Sequence, residues 1–215
     1  MKKLAIFDFD GTLFDSIHDV IINFNKTLEL YGFPTLVREE FLDCLGGNID
    51  DIVELVLGDN AMSENIENVK KTYLDLYYSS KKELTLPFPK AHDLLKDLQD
   101  IGVILAINSN RYTDSLESFV FKFFSDIDFL LIEGHSFDNP SKPDPSAVKK
   151  IIEKAAVSPD EAIYIGDSKT DIQTAKNAGI DCVIVRWGYG NENDWNDKYI
   201  LKSIDTMDEI KDFFI

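Results

Sequence analysis

Four short polar segments, each following a predicted strand, constrain this chain more than any other feature. They are Asp8-Phe9-Asp10-Gly11-Thr12-Leu13, Asn108-Ser109-Asn110, Ser141-Lys142-Pro143-Asp144-Pro145 and Gly166-Asp167-Ser168-Lys169-Thr170-Asp171. The apolar runs are Leu4 to Phe7, Val103 to Ile107, Phe129 to Ile132, Ala162 to Ile165 and Cys182 to Val185. Short runs of this kind suit parallel strands buried on both faces. Helical spacing fills the gaps, with Leu116, Phe119, Val120 and Phe123, then Val148, Ile151, Ile152 and Ala155, then Ile172 and Ala175 ahead of Gly179. Strand and helix in alternation predict an α/β fold, a doubly wound parallel sheet. Ligands of such sheets bind beyond the carboxyl ends of the strands, which is where the polar segments fall.

One stretch breaks the alternation. After Asp15-Ser16, a candidate N-cap, the residues Ile17, Val20, Ile21, Phe24, Leu28 and Tyr31 recur on one helical face until Gly32-Phe33-Pro34. Helical patterns continue at about 37 to 45, 49 to 57 and 63 to 83, with no strand among them, and Pro87 and Pro89 close the block. The expected organisation is an α/β core of residues 1–14 and 88–215 interrupted by a helical insertion at 15–87.

With 215 residues, 44% of them hydrophobic, the chain can bury a sizeable core. Its 22 basic against 39 acidic residues give a net charge of −17, which repels nucleic acid and anionic membrane surfaces and leaves a small molecule as the expected partner. Asp8 and Asp10 interrupt the first apolar run too early for a signal peptide, and no later stretch is long enough to span a bilayer. Cys44 and Cys182 sit in apolar surroundings without metal-ligand spacing, as buried thiols of a reducing cytoplasm do. His18, His92 and His135 are scattered, which disfavours zinc. The acidic surface is compatible with a monomer or weak homodimer.

Asp8 and Asp10, two apart on extended chain, point roughly the same way, and such a pair repels unless a cation or proton intervenes. Asp167, at another strand end, adds a third hard oxygen, a set suited to Mg²⁺ that retains waters and takes a substrate phosphate. Taken singly each segment reads as a turn or helix cap, with Asp144 capping a helix that opens on Pro145, and Asp167 or Ser168 capping the next. Their joint order carries the chemistry.

In that order the four segments resemble the four motifs of the haloacid dehalogenase superfamily, from one end of the chain to the other. The insertion after the first motif, Phe14-Asp15-Ser16 and Arg186-Trp187-Gly188-Tyr189-Gly190 are similar to the phosphoglycolate phosphatase and beta-phosphoglucomutase branch. The resemblance implies a Rossmann-like core with a helical cap and Mg²⁺-dependent hydrolysis of a small phosphate monoester through an aspartyl phosphate. It implies Asp8 as nucleophile, Asp10 as general acid and base, and Lys142 as a catalytic cation. Gly11, Ser109, Asn110 and Lys142 would bind the substrate phosphate. Asp8 and Asp167 would hold the metal by side chain and Asp10 by its main-chain carbonyl, with Asp171 and Thr12 behind these ligands. The alternative is a phosphomutase of the beta-phosphoglucomutase type, in which a sugar hydroxyl and not water accepts the phosphoryl group. The loop Leu45-Gly46-Gly47-Asn48 would reach the active site, and Arg38, Lys26 and Arg111 are candidate anchors for a substrate carboxylate.

Overall fold

The computed structural model describes residues 1–136 and 139–214. The chain opens with β1 (Leu4–Phe7) and crosses through β2 (Phe14–Asp15) into α1 (Ile17–Tyr31), α2 (Arg38–Leu42), α3 (Ile49–Leu57) and α4 (Ser63–Ser79). It returns through β3 (Leu86–Pro87), which pairs with β2. There follow α5 (Ala91–Asp100), β4 (Ile104–Tyr112), α6 (Thr113–Phe123), β5 (Phe129–His135), α7 (Ser146–Ala155), β6 (Ala162–Gly166), α8 (Lys169–Ala178), β7 (Asp181–Val185), α9 (Glu192–Trp195) and β8 (Lys202–Ile204). Two compact units result, one of Met1–Phe14 with Pro87–Ile215 and one of Asp15–Leu86.

In the first unit six strands form one sheet in the order β5-β4-β1-β6-β7-β8, and every described pairing in it is parallel. Because side chains alternate across a strand, each run feeds two cores. Ala5, Phe7, Leu105, Ile107, Ile163, Ile165, Val183 and Val185 face one layer, where Leu94, Leu95 and Leu98 of α5 and Leu116 and Phe119 of α6 cover them. Leu4, Ile6, Ala106, Tyr164, Cys182 and Ile184 face the other, under Val148 and Ile151 of α7 and Ile172 and Ala175 of α8. This is the doubly wound α/β architecture. The chain leaves β1 toward β4 on one side and later reaches β6 on the other, so the winding reverses at β1. That reversal opens the crevice where such sheets bind ligands.

The second unit packs α1 against α4. Phe24 stacks on Tyr73 at 3.8 Å between centroids and meets Phe41 of α2 at 5.1 Å. Buried Asp19 accepts hydrogen bonds from the Leu84 amide at 3.0 Å and the Thr85 hydroxyl at 2.8 Å, which ties the unit's last segment to its first helix.

Several element ends differ from the expectation. β4 runs to Tyr112 instead of stopping at Ile107, because Asn108 and Tyr112 pair with β5 across a register shift. α4 ends at Ser79, where the Ser79 and Ser80 hydroxyls bond back to main-chain carbonyls of its last turn. α2 covers only Arg38–Leu42. Ser16 stands at the N-cap of α1 but its side chain makes no capping bond. Pro145, not Asp144, is the N-cap of α7, and Asp144 instead accepts from the Ser146 amide at 2.8 Å. β8 has no apolar run to announce it, since Ile204 alone of its residues is buried.

Candidate active site

The polar segments meet at the carboxyl edge of β1, β4 and β6. The Asp8 amide still bonds to the Ile165 carbonyl at 2.9 Å, so Asp8 leaves β1 in strand register. The chain then turns back on Phe9, whose carbonyl receives the Leu13 and Phe14 amides at 3.0 and 2.9 Å, with Gly11 at φ +81°. A side chain at Gly11 would also meet Asp167, so only glycine fits here. Asn110 joins two segments: its Oδ1 accepts from the Lys142 amide at 2.6 Å and its Nδ2 donates to the Lys142 carbonyl at 3.3 Å. Buried Tyr164 donates to the Asn108 carbonyl at 2.9 Å, holding the end of β4 against β6.

Lys142 is the centre of the charge arrangement. Its Nζ lies 2.7 Å from Asp8 Oδ1 and 2.7 Å from Asp171 Oδ1, all three side chains being buried. The other oxygen of Asp171 accepts from the Asp167 amide, the Ser168 amide and the Ser168 hydroxyl at 3.1, 3.1 and 2.9 Å. Both Asp171 oxygens are thus engaged by the protein. Asp167 Oδ2 accepts from the Tyr189 amide at 2.6 Å. Oxygens of Asp8, Asp167 and Asp171 come within 4.8 Å of one another.

Burial sets the titration of these groups. Asp8 is pushed up to about 7, first by loss of water, against the pull of Lys142 and with added repulsion from Asp171 and Asp10. Burial, then Asp171 and Asp8, drive Asp167 well above the usual carboxylate range, opposed by the Tyr189 amide and Lys142. Burial alone would lower the Lys142 ammonium, but Asp171 and Asp8 outweigh it and hold the pKa well above its ordinary value. With all three ionised, these buried carboxylates against one ammonium would leave two negative charges uncompensated, which is why burial and mutual repulsion raise Asp8 and Asp167. A divalent cation closes that balance, and an all-oxygen donor set suits Mg²⁺ better than a softer metal. The residues present fit such an ion.

Asp10 goes elsewhere. Its oxygens take Arg111 Nε at 3.0 Å and Nη2 at 2.5 Å, while Arg111 Nη1 reaches Ser115 Oγ at 3.4 Å. Among the side chains, Asp8 is thus paired with Lys142 and Asp10 with Arg111. With its guanidinium so engaged, Arg111 is a poor anchor for a substrate carboxylate. Ser109 is buried, and its Oγ accepts from the Arg111 amide at 3.2 Å. Thr12 is buried too; its carbonyl accepts from Trp187 Nε1 at 3.1 Å, and its hydroxyl has no hydrogen-bond partner among the described residues.

Sequence reasoning gave Trp187-Gly188-Tyr189-Gly190 no role at the site, yet this run braces it. A Cβ at Gly188 would lie 2.3 Å from the Gly11 carbonyl, and one at Gly190 only 1.9 Å from the Asp167 carbonyl. Two glycines flanking one residue just after a strand are the signal that could have revealed this close approach. Gly190→Ala is accordingly expected to cost about 1–3 kcal/mol through overpacking, checked by urea unfolding. A loss below about 0.5 kcal/mol would mean that the loop moves aside freely.

In the helical unit, Asn48 Oδ1 caps α3 by accepting from the Asp50 and Asp51 amides at 2.8 and 3.1 Å, while the Asn48 amide donates to Asp51 at 3.0 Å. Its side chain thus has a local structural task. Lys26 and Arg38 are exposed. No helix among the described residues is long and apolar enough to cross a membrane.

The family model for haloacid dehalogenase-like hydrolases matches residues 5–185. A phosphoglycolate phosphatase of Pseudomonas syringae pv. tomato is 31% identical over 89% of this chain and 72% of its own length. One from Aquifex aeolicus is 30% identical over 87% of this chain and 86% of its own. Among solved structures, a Lactobacillus delbrueckii subsp. bulgaricus protein has a TM-score of 0.91 at 26% identity, covering 99% of this chain and 98% of that one. A CbbY structure from Rhodobacter sphaeroides in complex with phosphate shares the fold, with a TM-score of 0.79 at 20% identity over 98% of this chain and 96% of that one. With its parallel sheet and its polar segments gathered at one edge, the chain belongs to the haloacid dehalogenase-like hydrolases, on their phosphoglycolate phosphatase-like branch, and is a phosphatase.

Proposed function

We propose that this enzyme is a Mg²⁺-dependent phosphatase that hydrolyses a small phosphate monoester through an aspartyl phosphate on Asp8. The observation that carries the reading is the buried cluster of Asp8, Asp167 and Asp171 with Lys142, three carboxyl groups to one ammonium. Asp8 and Asp167 would hold the ion by side chain and Asp10 by its carbonyl, while Asp171 and Thr12 support them from behind. Bound Mg²⁺ supplies neutralisation of phosphate charge and favours the ionised form of Asp8.

An Asp8 oxygen attacks phosphorus in line, the ester P–O bond breaks, and Asp10 gives its proton to the departing oxygen. Lys142, the Ser109 hydroxyl and main-chain N–H groups around Gly11 and Asn110 donate to the equatorial oxygens, where charge must be stabilised. Asp10 then takes a proton from water, the water oxygen attacks phosphorus, and Asp8 is released. Phosphoglycolate, which the named relatives act on, is the first candidate substrate, with the helical unit as the cap that selects it. The expected setting is a cytoplasmic monomer or weak homodimer.

Inorganic phosphate release from phosphoglycolate and a panel of sugar and alkyl phosphates tests the reading. Hydrolysis with Mg²⁺ that EDTA abolishes supports it; no Mg²⁺-dependent release from any ester contradicts it. Stability offers an independent check. An Asp8 pKa of about 7 in the metal-free fold, against about 3.9 in an unfolded chain, means the native state binds the extra proton. The stability that proton confers is full below about pH 4 and is lost as pH rises to about 7. Because a bound cation removes the penalty, the rise in Tm on adding Mg²⁺ is expected to be larger at pH 8 than at pH 5. Equal shifts at both pH values would place the ion elsewhere.

A further inference from the structure

Among the described residues, Arg111 is a cation beside this site, its side chain largely buried, that the proposed reaction does not use. Its side chain is 8% exposed and that of Asp10 is 30% exposed. The guanidinium meets that carboxylate fork to fork, through Nε on Oδ2 and Nη2 on Oδ1. Such a bidentate pair fixes the plane of a carboxylate as well as its position, which a single ammonium cannot do. Arg111 is itself held. Its guanidinium carbon lies 5.3 Å from the Phe9 ring centre and 5.6 Å from that of Phe119, and Nη1 reaches Ser115. Phe9 in turn stacks on Phe14 at 4.2 Å and tilts against Phe119 at 5.6 Å, inside the core cluster of the sheet. The extension of β4 to Tyr112 carries Arg111 to this place.

We propose that Arg111 is the positioning residue for Asp10, clamping its carboxyl group in the orientation from which protons pass to and from the reacting oxygens. The inference rests on the reading of Asp10 as general acid and base. Each carboxylate oxygen has two acceptor directions, and the fork takes up one per oxygen. In the first step the Asp10 O–H bond breaks as the departing ester oxygen gains that proton. In the second a water O–H bond breaks and the proton returns to Asp10. Arg111 gains and loses nothing; it keeps the acceptor lone pairs aimed, and a proton-transfer geometry loosened by about 1 Å costs on the order of 100-fold.

The test compares leaving groups. An alkyl phosphate needs its leaving oxygen protonated, whereas p-nitrophenyl phosphate departs as a stable phenolate. Single-turnover cleavage by Arg111→Lys, which keeps the charge and loses the fork, is expected to fall about 100-fold on the alkyl ester and less than about tenfold on the aryl ester. Arg111→Gln is expected to show the same asymmetry. Asp10→Asn with Arg111→Lys should be no slower on the alkyl ester than Asp10→Asn alone, because residues that act as a unit are not additive. Equal losses on both esters, additive losses in the double variant, or an alkyl-ester rate in Arg111→Lys that is unchanged or higher would each overturn the proposal. Asp10→Asn alone guards the premise: if it shows no leaving-group asymmetry, the general-acid assignment has failed, and the role of Arg111 falls with it.

Discussion

Asp8→Asn is expected to lower kcat by about 10⁴-fold or more while leaving the protein folded. The amide has the carboxylate's shape but cannot attack phosphorus, and no neighbouring group can replace it. Asp171 has both oxygens occupied, by Lys142 on one side and by Ser168 and the Asp167 amide on the other. Asp167 is oriented by the Tyr189 amide, and Asp10 by Arg111. Stability should not suffer, because the substitution removes a buried carboxylate that burial and its acidic neighbours already disfavour. In metal-free protein above pH 7 the variant is expected to melt at or above the wild-type temperature. Steady-state kinetics and thermal melts check both halves. A kcat within about tenfold of wild type would remove Asp8 from the chemistry.

The second large effect falls on Lys142. Lys142→Met removes the ammonium that touches both Asp8 and Asp171, leaving two buried carboxylates with an apolar side chain between them. Breaking a buried ion pair by removing one partner costs about 3–5 kcal/mol, and here the lost cation faces two acids. The metal-free variant is expected to lose at least that much in urea unfolding, with part of it restored by Mg²⁺. Activity should fall about 10²–10³-fold even at saturating metal, since a charged donor to the transferring phosphoryl group is gone. The clamp from Asn110 acts on the Lys142 main chain, so the loop itself is expected to keep its place. A loss below about 1 kcal/mol would mean that the cluster takes up protons instead of relying on the lysine.

The sheet was legible because its strands are buried on both faces. Leu4-Ala5-Ile6-Phe7 and Ala162-Ile163-Tyr164-Ile165 are fully buried throughout, and such runs mark themselves in any sequence. β8 was not, because an edge strand with exposed Lys202 carries no apolar signal. Its pairing depends on β7, not on its own composition. The polar segments were legible as a set, since strand order brings their ends together whatever the loops between them do. Partner choice was not. The pairing of Asp10 with Arg111 comes from the stretch of β4 past Ile107, which its apolar run does not announce. The Trp187-Gly188-Tyr189-Gly190 brace was hidden for a similar reason. Its contacts with Thr12 and Asp167 span more than twenty residues of sequence, and each joins a side chain to a main-chain group, which leaves little trace in residue type.

Covalent trapping of the phosphoenzyme tests the central claim most directly. The wild-type enzyme, mixed with Mg²⁺ and excess of its best ester, is quenched in acid during turnover, reduced with borohydride and digested for peptide mass analysis. An acyl phosphate on Asp8 predicts reduction of that residue to homoserine in the peptide spanning the first segment, absent without substrate and absent in Asp8→Asn. Steady phosphate release with residue 8 unreduced, or with the reduced residue found elsewhere in the chain, would contradict the mechanism.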